Sequence, residues 1–167
     1  MRGAAVAIAV GLGILLSACS SEPDTVEPPP LVAEAPSLTV EANGAVVEVP
    51  PYDYCWESGG VGTCADWFGS QEATPIAVSG TSLQLSWIDD GELTGWFGPG
   101  LTEGCRTMRL SIRQDGPGLW TAALPEGSGS YTVTIHGSAA AGDTNFDISV
   151  EATNSDIPVD LGCPDER

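Results

Sequence analysis

Lysine is absent from this sequence, and histidine occurs only once, at position 136. The sequence has five arginines and 23 acidic residues, so the formal net charge is −18 at pH 7. A surface this acidic repels the phosphates of nucleic acids and the headgroups of anionic lipids. The side chains that usually act as catalytic bases or activated nucleophiles are also scarce. We therefore expect no nucleic acid partner and no enzymatic activity.

The apolar run at the amino terminus is too short to cross a bilayer comfortably as a helix. Residues 4–16 are uncharged and follow Met1-Arg2, which is the layout of a secretory signal. The run ends in Leu16-Ser17-Ala18-Cys19, which resembles the lipobox of bacterial lipoproteins at all four positions. The resemblance implies cleavage before Cys19, a diacylglyceryl thioether on its sulfur, and a further acyl chain, such as palmitate, on the new amino terminus. The alternative is an ordinary signal peptide in which this cysteine occurs by chance.

Two or three acyl chains hold a protein stably at a membrane, whereas one does not. We therefore predict an exported protein that is anchored by lipid to the outer face of the bacterial cell membrane. Residues 1–18 would be removed, residues 19–36 would form a tether, and residues 37–167 would form the folded domain. Residues 20–36 contain five prolines and four acids, so they cannot build a core and extend up to about 50 Å.

Four cysteines remain once Cys19 carries lipid, and an even number in an exported chain indicates disulfides. Four cysteines allow three connectivities. Cys55 and Cys64 flank a glycine-rich, turn-like segment, which favours a local bridge between them. Cys105 would then pair with Cys163 and clamp the carboxyl-terminal tail. A zinc site is disfavoured because no C-x-x-C spacing occurs and His136 lies far away.

From residue 37 onward the apolar residues alternate with polar ones, and no segment has an apolar stripe of helical period. Asn43-Gly44 is a strong hairpin signal. The alternation predicts an all-β domain, an antiparallel immunoglobulin-like β-sandwich of seven to nine strands. The first strand of this hairpin, or first arm, precedes the turn. The second arm follows the turn and runs through Pro50-Pro51 toward Trp56. The further predicted strands are 76–78, 82–88, 106–113, 119–123, 131–136 and 145–151.

Two sequence patterns within this domain resemble other proteins. Both look like patterns of uncharacterised actinobacterial lipoproteins. The first is Tyr54-Cys55-Trp56 followed by Cys64-Ala65-Asp66, and the second is the segment 124–133. The resemblance covers most of residues 37–151. It implies the same fold and location, and it implies no particular activity.

No catalytic residue can be assigned from these patterns. Alternation places His136 on the opposite face of its strand from Val133 and Ile135, where a lone histidine is structural or solvated. Gly127-Ser128-Gly129 lacks the pattern of a nucleophile elbow. The acidic segment 89–92 is predicted to be a hairpin turn.

Calcium is a candidate ligand of one segment. Asp143, Asn145 and Asp147 are spaced two apart, like the oxygen ligands of a calcium loop. However, neither the glycine nor the bidentate glutamate of such a loop follows at its position. In a strand the same spacing places polar groups on the face opposite Phe146 and Ile148. The strand interpretation is favoured, so no metal or other cofactor is predicted.

The aromatic residues suggest a binding surface. Trp87 fits a core strand, and Trp56 is predicted to pack on the disulfide of its neighbour Cys55. Four others, in two glycine-rich connections, are candidates for exposed binding loops, since exposed aromatics concentrate binding energy. These four residues are Trp67, Phe68, Trp96 and Phe97. If the last two are exposed, their replacement by alanine should leave thermal stability nearly unchanged.

Together these patterns predict a monomeric, membrane-anchored surface lipoprotein whose domain is a non-catalytic binding module. Its partner would be another envelope protein or an envelope glycan. The alternatives are a carrier of a small hydrophobic ligand held between the sheets, and a purely structural envelope protein.

Overall fold

The computed structural model describes residues 34–66, 75–99, 105, 107–161 and 163. These residues contain no helix, and so no helix that could span a membrane. They form twelve strands, named here in chain order. The strands are β1 (Leu38–Ala42), β2 (Ala45–Val49), β3 (Asp53–Ser58), β4 (Val61–Asp66), β5 (Ile76–Val78), β6 (Ser82–Ser86), β7 (Glu92–Gly98), β8 (Met108–Arg109), β9 (Ser111–Gly116), β10 (Leu119–Ala123), β11 (Ser128–Ala139) and β12 (Gly142–Thr153).

The strands form two sheets that pack face to face as a sandwich. Sheet A has the order β2-β1-β6-β10-β9, and all of its pairs are antiparallel. Sheet B has the order β4-β3-β12-β11-β7-β8, also antiparallel, and β5 joins the free edge of β12 in parallel. The predicted all-β, immunoglobulin-like sandwich is therefore confirmed.

The described strands outnumber the seven to nine that were predicted for three reasons. The predicted second arm of the hairpin is two strands, β2 and β3, and the segment predicted as one strand over 106–113 is also two. In addition, β4 and β7 were not predicted as strands. β2 extends sheet A beyond β1, whereas β3 and β4 extend sheet B beyond β12. Pro50-Pro51 lies where the chain passes from β2 in one sheet to β3 in the other. Proline lacks a backbone N–H, so this pair suits a crossover and not a ladder.

The predicted hairpin turn at Asn43-Gly44 is confirmed. Both residues have positive φ, 52° and 78°, as a two-residue turn between β1 and β2 requires. The Asn43 side chain also donates to the carbonyl of Ala77 at 2.9 Å and accepts from the hydroxyl of Ser79 at 2.9 Å. The turn therefore also ties the first hairpin to the segment around β5.

The core lies between the two sheets and follows the predicted alternation. Leu83 and Leu85 face inward from sheet A, and Val133, Ile135 and Phe146 face inward from sheet B, each at most 1 % exposed. Burying a side chain of this kind stabilises the fold by about 1.5–3 kcal/mol. The space between the sheets is thus filled with side chains.

Trp87 fills the core at one end, where the backbone makes room for its ring. A Cβ atom on Gly137 would lie 2.7 Å from the indole, and one on Gly91 would overlap it. The ring packs edge-on against Trp56 at 5.9 Å and against Phe146 at 6.1 Å. Its Nε1 donates to the carbonyl of Pro36 at 3.4 Å.

The prediction that Trp56 packs on the neighbouring disulfide is wrong. Successive residues of a strand point to opposite faces, so Cys55 is exposed and Trp56 turns into the core. The predicted connectivity is confirmed, with Cys55 bonded to Cys64 across β3 and β4, and Cys105 bonded to Cys163. The turn-like segment between the first pair is largely strand, with its turn at Gly59-Gly60.

Two other predictions fail where the chain changes sheets. The single strand expected over 106–113 is two, because the chain leaves sheet B after Arg109 and enters sheet A at Ser111. Leu110 is buried between them, and its N–H donates to the carbonyl of Gly95 at 2.8 Å. The acidic turn at 89–92 likewise connects β6 to β7 across the sandwich and does not form a hairpin.

The carboxyl-terminal tail lies along the start of β11. The N–H of Ser128 donates to the carbonyl of Ile157 at 2.8 Å, and the N–H of Val159 donates to the carbonyl of Ser128 at 3.0 Å. Gly127 permits this approach, since a Cβ there would lie 2.5 Å from Val159. The Cys105–Cys163 disulfide therefore adds to an existing set of backbone contacts.

Candidate binding face

The structure separates the aromatic residues that were predicted to form binding loops. Trp96 and Phe97 lie inside β7 and not in a glycine-rich loop, so that part of the prediction is wrong. Trp96 points outward and is 38 % exposed. Phe97 points toward the core, is half-buried, and packs edge-on against Tyr131 at 6.1 Å. Only Trp96 of this pair is available to a partner, and Phe97 to alanine is expected to lower stability.

Other predicted sites fall outside the described residues. These are the second aromatic pair, Trp67 and Phe68, together with the acylation candidate Cys19 and most of the tether.

Trp96 belongs to a row of outward-facing residues that crosses four strands of sheet B. It is the register partner of Thr134 on β11 and of Arg109 on β8, while Thr134 is the partner of Asp147 on β12. The Thr134 hydroxyl donates to Asp147 Oδ1 at 2.7 Å. Adjacent strands lie about 4.8 Å apart, so the row spans roughly 14 Å. It carries a carboxylate at one end, a guanidinium at the other, and an indole between them.

A second row runs beside the first on the same outer surface. Asn145 Nδ2 donates to Asp53 Oδ2 at 3.1 Å, and Asn145 Oδ1 lies 3.1 Å from His136 Nδ1. An amide oxygen can only accept, so this network places a proton on His136 Nδ1. The predicted orientation of His136, away from Val133 and Ile135, is confirmed.

We call the outer surface formed by these two rows the Trp96 face. Its members are Trp96, Arg109, Thr134, Asp147, His136, Asn145 and Asp53.

Tyr52 borders the Trp96 face at its acidic end. Burial raises the pKa of the Tyr52 phenol, and the negative charges of Asp147 and Asp53 raise that pKa further. Burial also raises the pKa of Asp147, although the hydrogen bond from Thr134 acts in the opposite direction. Asp147 as a residue remains exposed, so its neighbours cover its carboxyl only in part. The carboxylates of Asp147 and Asp53 therefore lie close enough to the Tyr52 phenol to act on it electrostatically.

The three calcium candidates lie in β12 and not in a loop. Asp143, Asn145 and Asp147 all face outward, opposite Phe146 and Ile148, as the strand interpretation predicted. Asn145 and Asp147 are hydrogen-bonded to Asp53 and Thr134. Among the residues that the structure describes, no group of three histidine, cysteine or acidic side chains is placed to hold a metal ion.

The buried titratable group of the core is Tyr131, which is only 4 % exposed. Its hydroxyl has no hydrogen-bond partner among the described residues, and burial raises its pKa to about 12. A phenol with this pKa stays protonated far above neutral pH. Tyr131 therefore serves packing, and it faces away from the Trp96 face.

The comparisons with known proteins give no relative to guide the interpretation. No protein-family model, no curated protein and no solved structure matches the chain.

Proposed function

We propose that the protein is a lipid-anchored lipoprotein of the bacterial envelope whose sandwich is a non-catalytic binding module for an envelope glycan. The observation that carries this proposal is the exposed indole of Trp96 within a row of hydrogen-bonding side chains on an open sheet. The sequence supports the anchor through the lipobox-like residues that end at Cys19.

The chemistry of the Trp96 face suits a saccharide. A pyranose ring has a C–H-rich face, which packs on a flat aromatic ring, and a rim of hydroxyl groups. Trp96 offers the aromatic ring, while Asp147 and the Asn145–Asp53 pair offer carboxylate and amide oxygens as acceptors. The polar side chains are already held by hydrogen bonds, Asp147 by Thr134 and Asp53 by Asn145, so binding would order few of their rotamers.

The same geometry supports a binding role and not catalysis. His136 is hydrogen-bonded to an amide, whereas a nucleophile would need the imidazole beside a hydroxyl or a thiol. The four cysteines at positions 55, 64, 105 and 163 form disulfides. No observation favours the alternative of a ligand carrier, because side chains such as Phe146 and Ile135 fill the space between the sheets.

The anchor is tested by replacing Cys19 with serine, which removes the sulfur that would carry the diacylglyceryl group. We expect the wild-type protein to incorporate a radiolabelled fatty acid in growing cells, and Cys19→Ser to incorporate none. Intact-mass measurement should show the acyl chains only on the wild type. An unprocessed wild-type amino terminus would contradict the anchor and leave the binding proposal standing.

The binding role is tested with the full-length protein solubilised in a non-ionic detergent. Trp96→Ala in this protein should weaken co-sedimentation with purified, protein-free cell-wall glycan by about 30-fold, as expected of a central aromatic contact worth about 2 kcal/mol. The variant should remain folded at the temperature of the assay, because Trp96 lies on the outer face of sheet B and not in the core between the sheets.

Leu119→Ala is the matched control for this experiment. Leu119 is 52 % exposed on the other sheet, so its removal also deletes an exposed apolar group. It should leave glycan binding unchanged. Equal binding by Trp96→Ala and Leu119→Ala, or no binding by the parent protein, would overturn the proposal.

A further inference from the structure

A cleft opens beside the Trp96 face at the edge of sheet B. β8 is only two residues long, and the chain then crosses to sheet A, so the first half of β7 has no partner on that side among the described strands. The cleft has a volume of about 380 Å³, within the range of small-ligand sites. It is lined by Leu93, Thr94, Arg109, Leu110, Ser111 and Ile112.

The charge in this cleft differs from that of the chain as a whole. Arg113 pairs with Asp115 at 2.8 Å, whereas Arg109 has no carboxylate within 4.0 Å among the described residues. Asp147 stands at the far end of its row, roughly 14 Å away, which exceeds the screening length of about 8 Å at physiological ionic strength. The guanidinium of Arg109 is therefore an available cation in a protein of net charge −18.

The other lining residues fit an anion attached to a larger ligand. Thr94 and Ser111 contribute polar groups to the lining, and Leu93, Leu110 and Ile112 contribute apolar ones. A guanidinium binds a carboxylate through two parallel hydrogen bonds. Since Arg109 lies directly across the strand pair from Trp96, one ligand can reach both.

We propose that this cleft is a subsite for a carboxylate-bearing substituent of the saccharide that stacks on Trp96. The inference rests on the proposed function and specifies its ligand as a glycan with isolated carboxylates. A densely charged polyanion is disfavoured, because the net charge of −18 would repel it. The carboxylate faces Arg109, and the hydroxyl groups of the sugar extend along the row toward Thr134 and Asp147.

The test uses two chemically matched probes with the full-length protein in a non-ionic detergent. One is a fragment of wall glycan whose N-acetylmuramic acid units carry free lactyl carboxylates. The other is the same fragment after conversion of those carboxylates to methyl amides. Calorimetric titration should show about tenfold tighter binding of the carboxylate form, with the difference shrinking as salt is added.

Arg109→Gln should lower the affinity for the carboxylate form to that of the amide form, and leave binding of the amide form unchanged. Arg113→Gln, which removes an arginine exposed on the other sheet, should alter neither affinity. Equal affinity of the parent protein for both probes, or an Arg109→Gln variant that still prefers the carboxylate, would overturn the subsite while the proposed function stands. Binding of neither probe by the parent would overturn both.

Discussion

Replacing Gly142 with alanine is expected to destabilise the domain by roughly 4 kcal/mol or more, since it combines backbone strain with overpacking. Gly142 begins β12 with a φ of 147°, a backbone conformation that residues with a Cβ rarely adopt. It is paired with Ala139 on one side and with Trp56 on the other. A Cβ at this position would overlap the carbonyl oxygen of Cys55. The substitution must therefore push β3 away from β12 or unwind the end of the hairpin.

Urea denaturation with the disulfides intact measures this effect. Gly62→Ala is the matched control, because Gly62 lies in strand β4 of the same sheet, has no positive φ, and has no atom within 4 Å of its hypothetical Cβ. That substitution should change the free energy of unfolding by less than about 1 kcal/mol. Similar stabilities of Gly142→Ala and Gly62→Ala would show that β3 does not approach β12 as described.

Removing the Cys105–Cys163 disulfide is expected to lower the free energy of unfolding by about 4 kcal/mol. The two cysteines are 58 residues apart, so the bridge closes a long loop and strongly restricts the unfolded chain. The folded state loses little, because backbone hydrogen bonds still hold the tail at Ser128. The double variant Cys105→Ser, Cys163→Ser should therefore fold as before and unfold at a lower urea concentration.

The other disulfide provides the comparison. Cys55 and Cys64 are only 9 residues apart, and the same relation predicts a smaller loss of about 3 kcal/mol for their double serine variant. A larger loss from the short loop than from the long loop would contradict the chain-entropy explanation. It would show instead that the hairpin disulfide determines how β3 and β4 pack.

Features that depend on a few neighbouring residues, such as turns and the facing of strand residues, were predictable from the sequence. The turn at Asn43-Gly44 has its own preference for positive φ, and β5 and β10 have the predicted bounds. Alternation correctly placed Phe146 and Ile148 inward and His136 outward, because the period of a strand holds wherever the strand lies.

The failures occurred where a local pattern was compatible with two tertiary arrangements. Trp96-Phe97 is flanked by glycines and so was predicted to be a loop. In the structure Gly95 faces Ile135 in the core, and a Cβ atom on Gly95 would lie 2.9 Å from the Ile135 side chain. Here glycine allows close packing within a strand and does not mark a turn. The alternation through Leu110 continued without a break, although the chain changes sheets there.

The candidate site was the least predictable feature. Arg109 had no distinguishing signal in the sequence, and Thr134 is an ordinary outward-facing strand residue. They become neighbours of Trp96 only through the registers of β7 with β8 and with β11. Register between strands depends on the packing of the whole core, which a local pattern does not contain.

The sequence by itself determined that this is an acidic, lysine-free, all-β domain with paired cysteines, since composition and alternation are properties of the chain alone. The tertiary structure alone decided that an indole, a guanidinium and a carboxylate share one row across sheet B. That row depends on which strands lie side by side and in which register, and burial of residues far apart in the chain sets both.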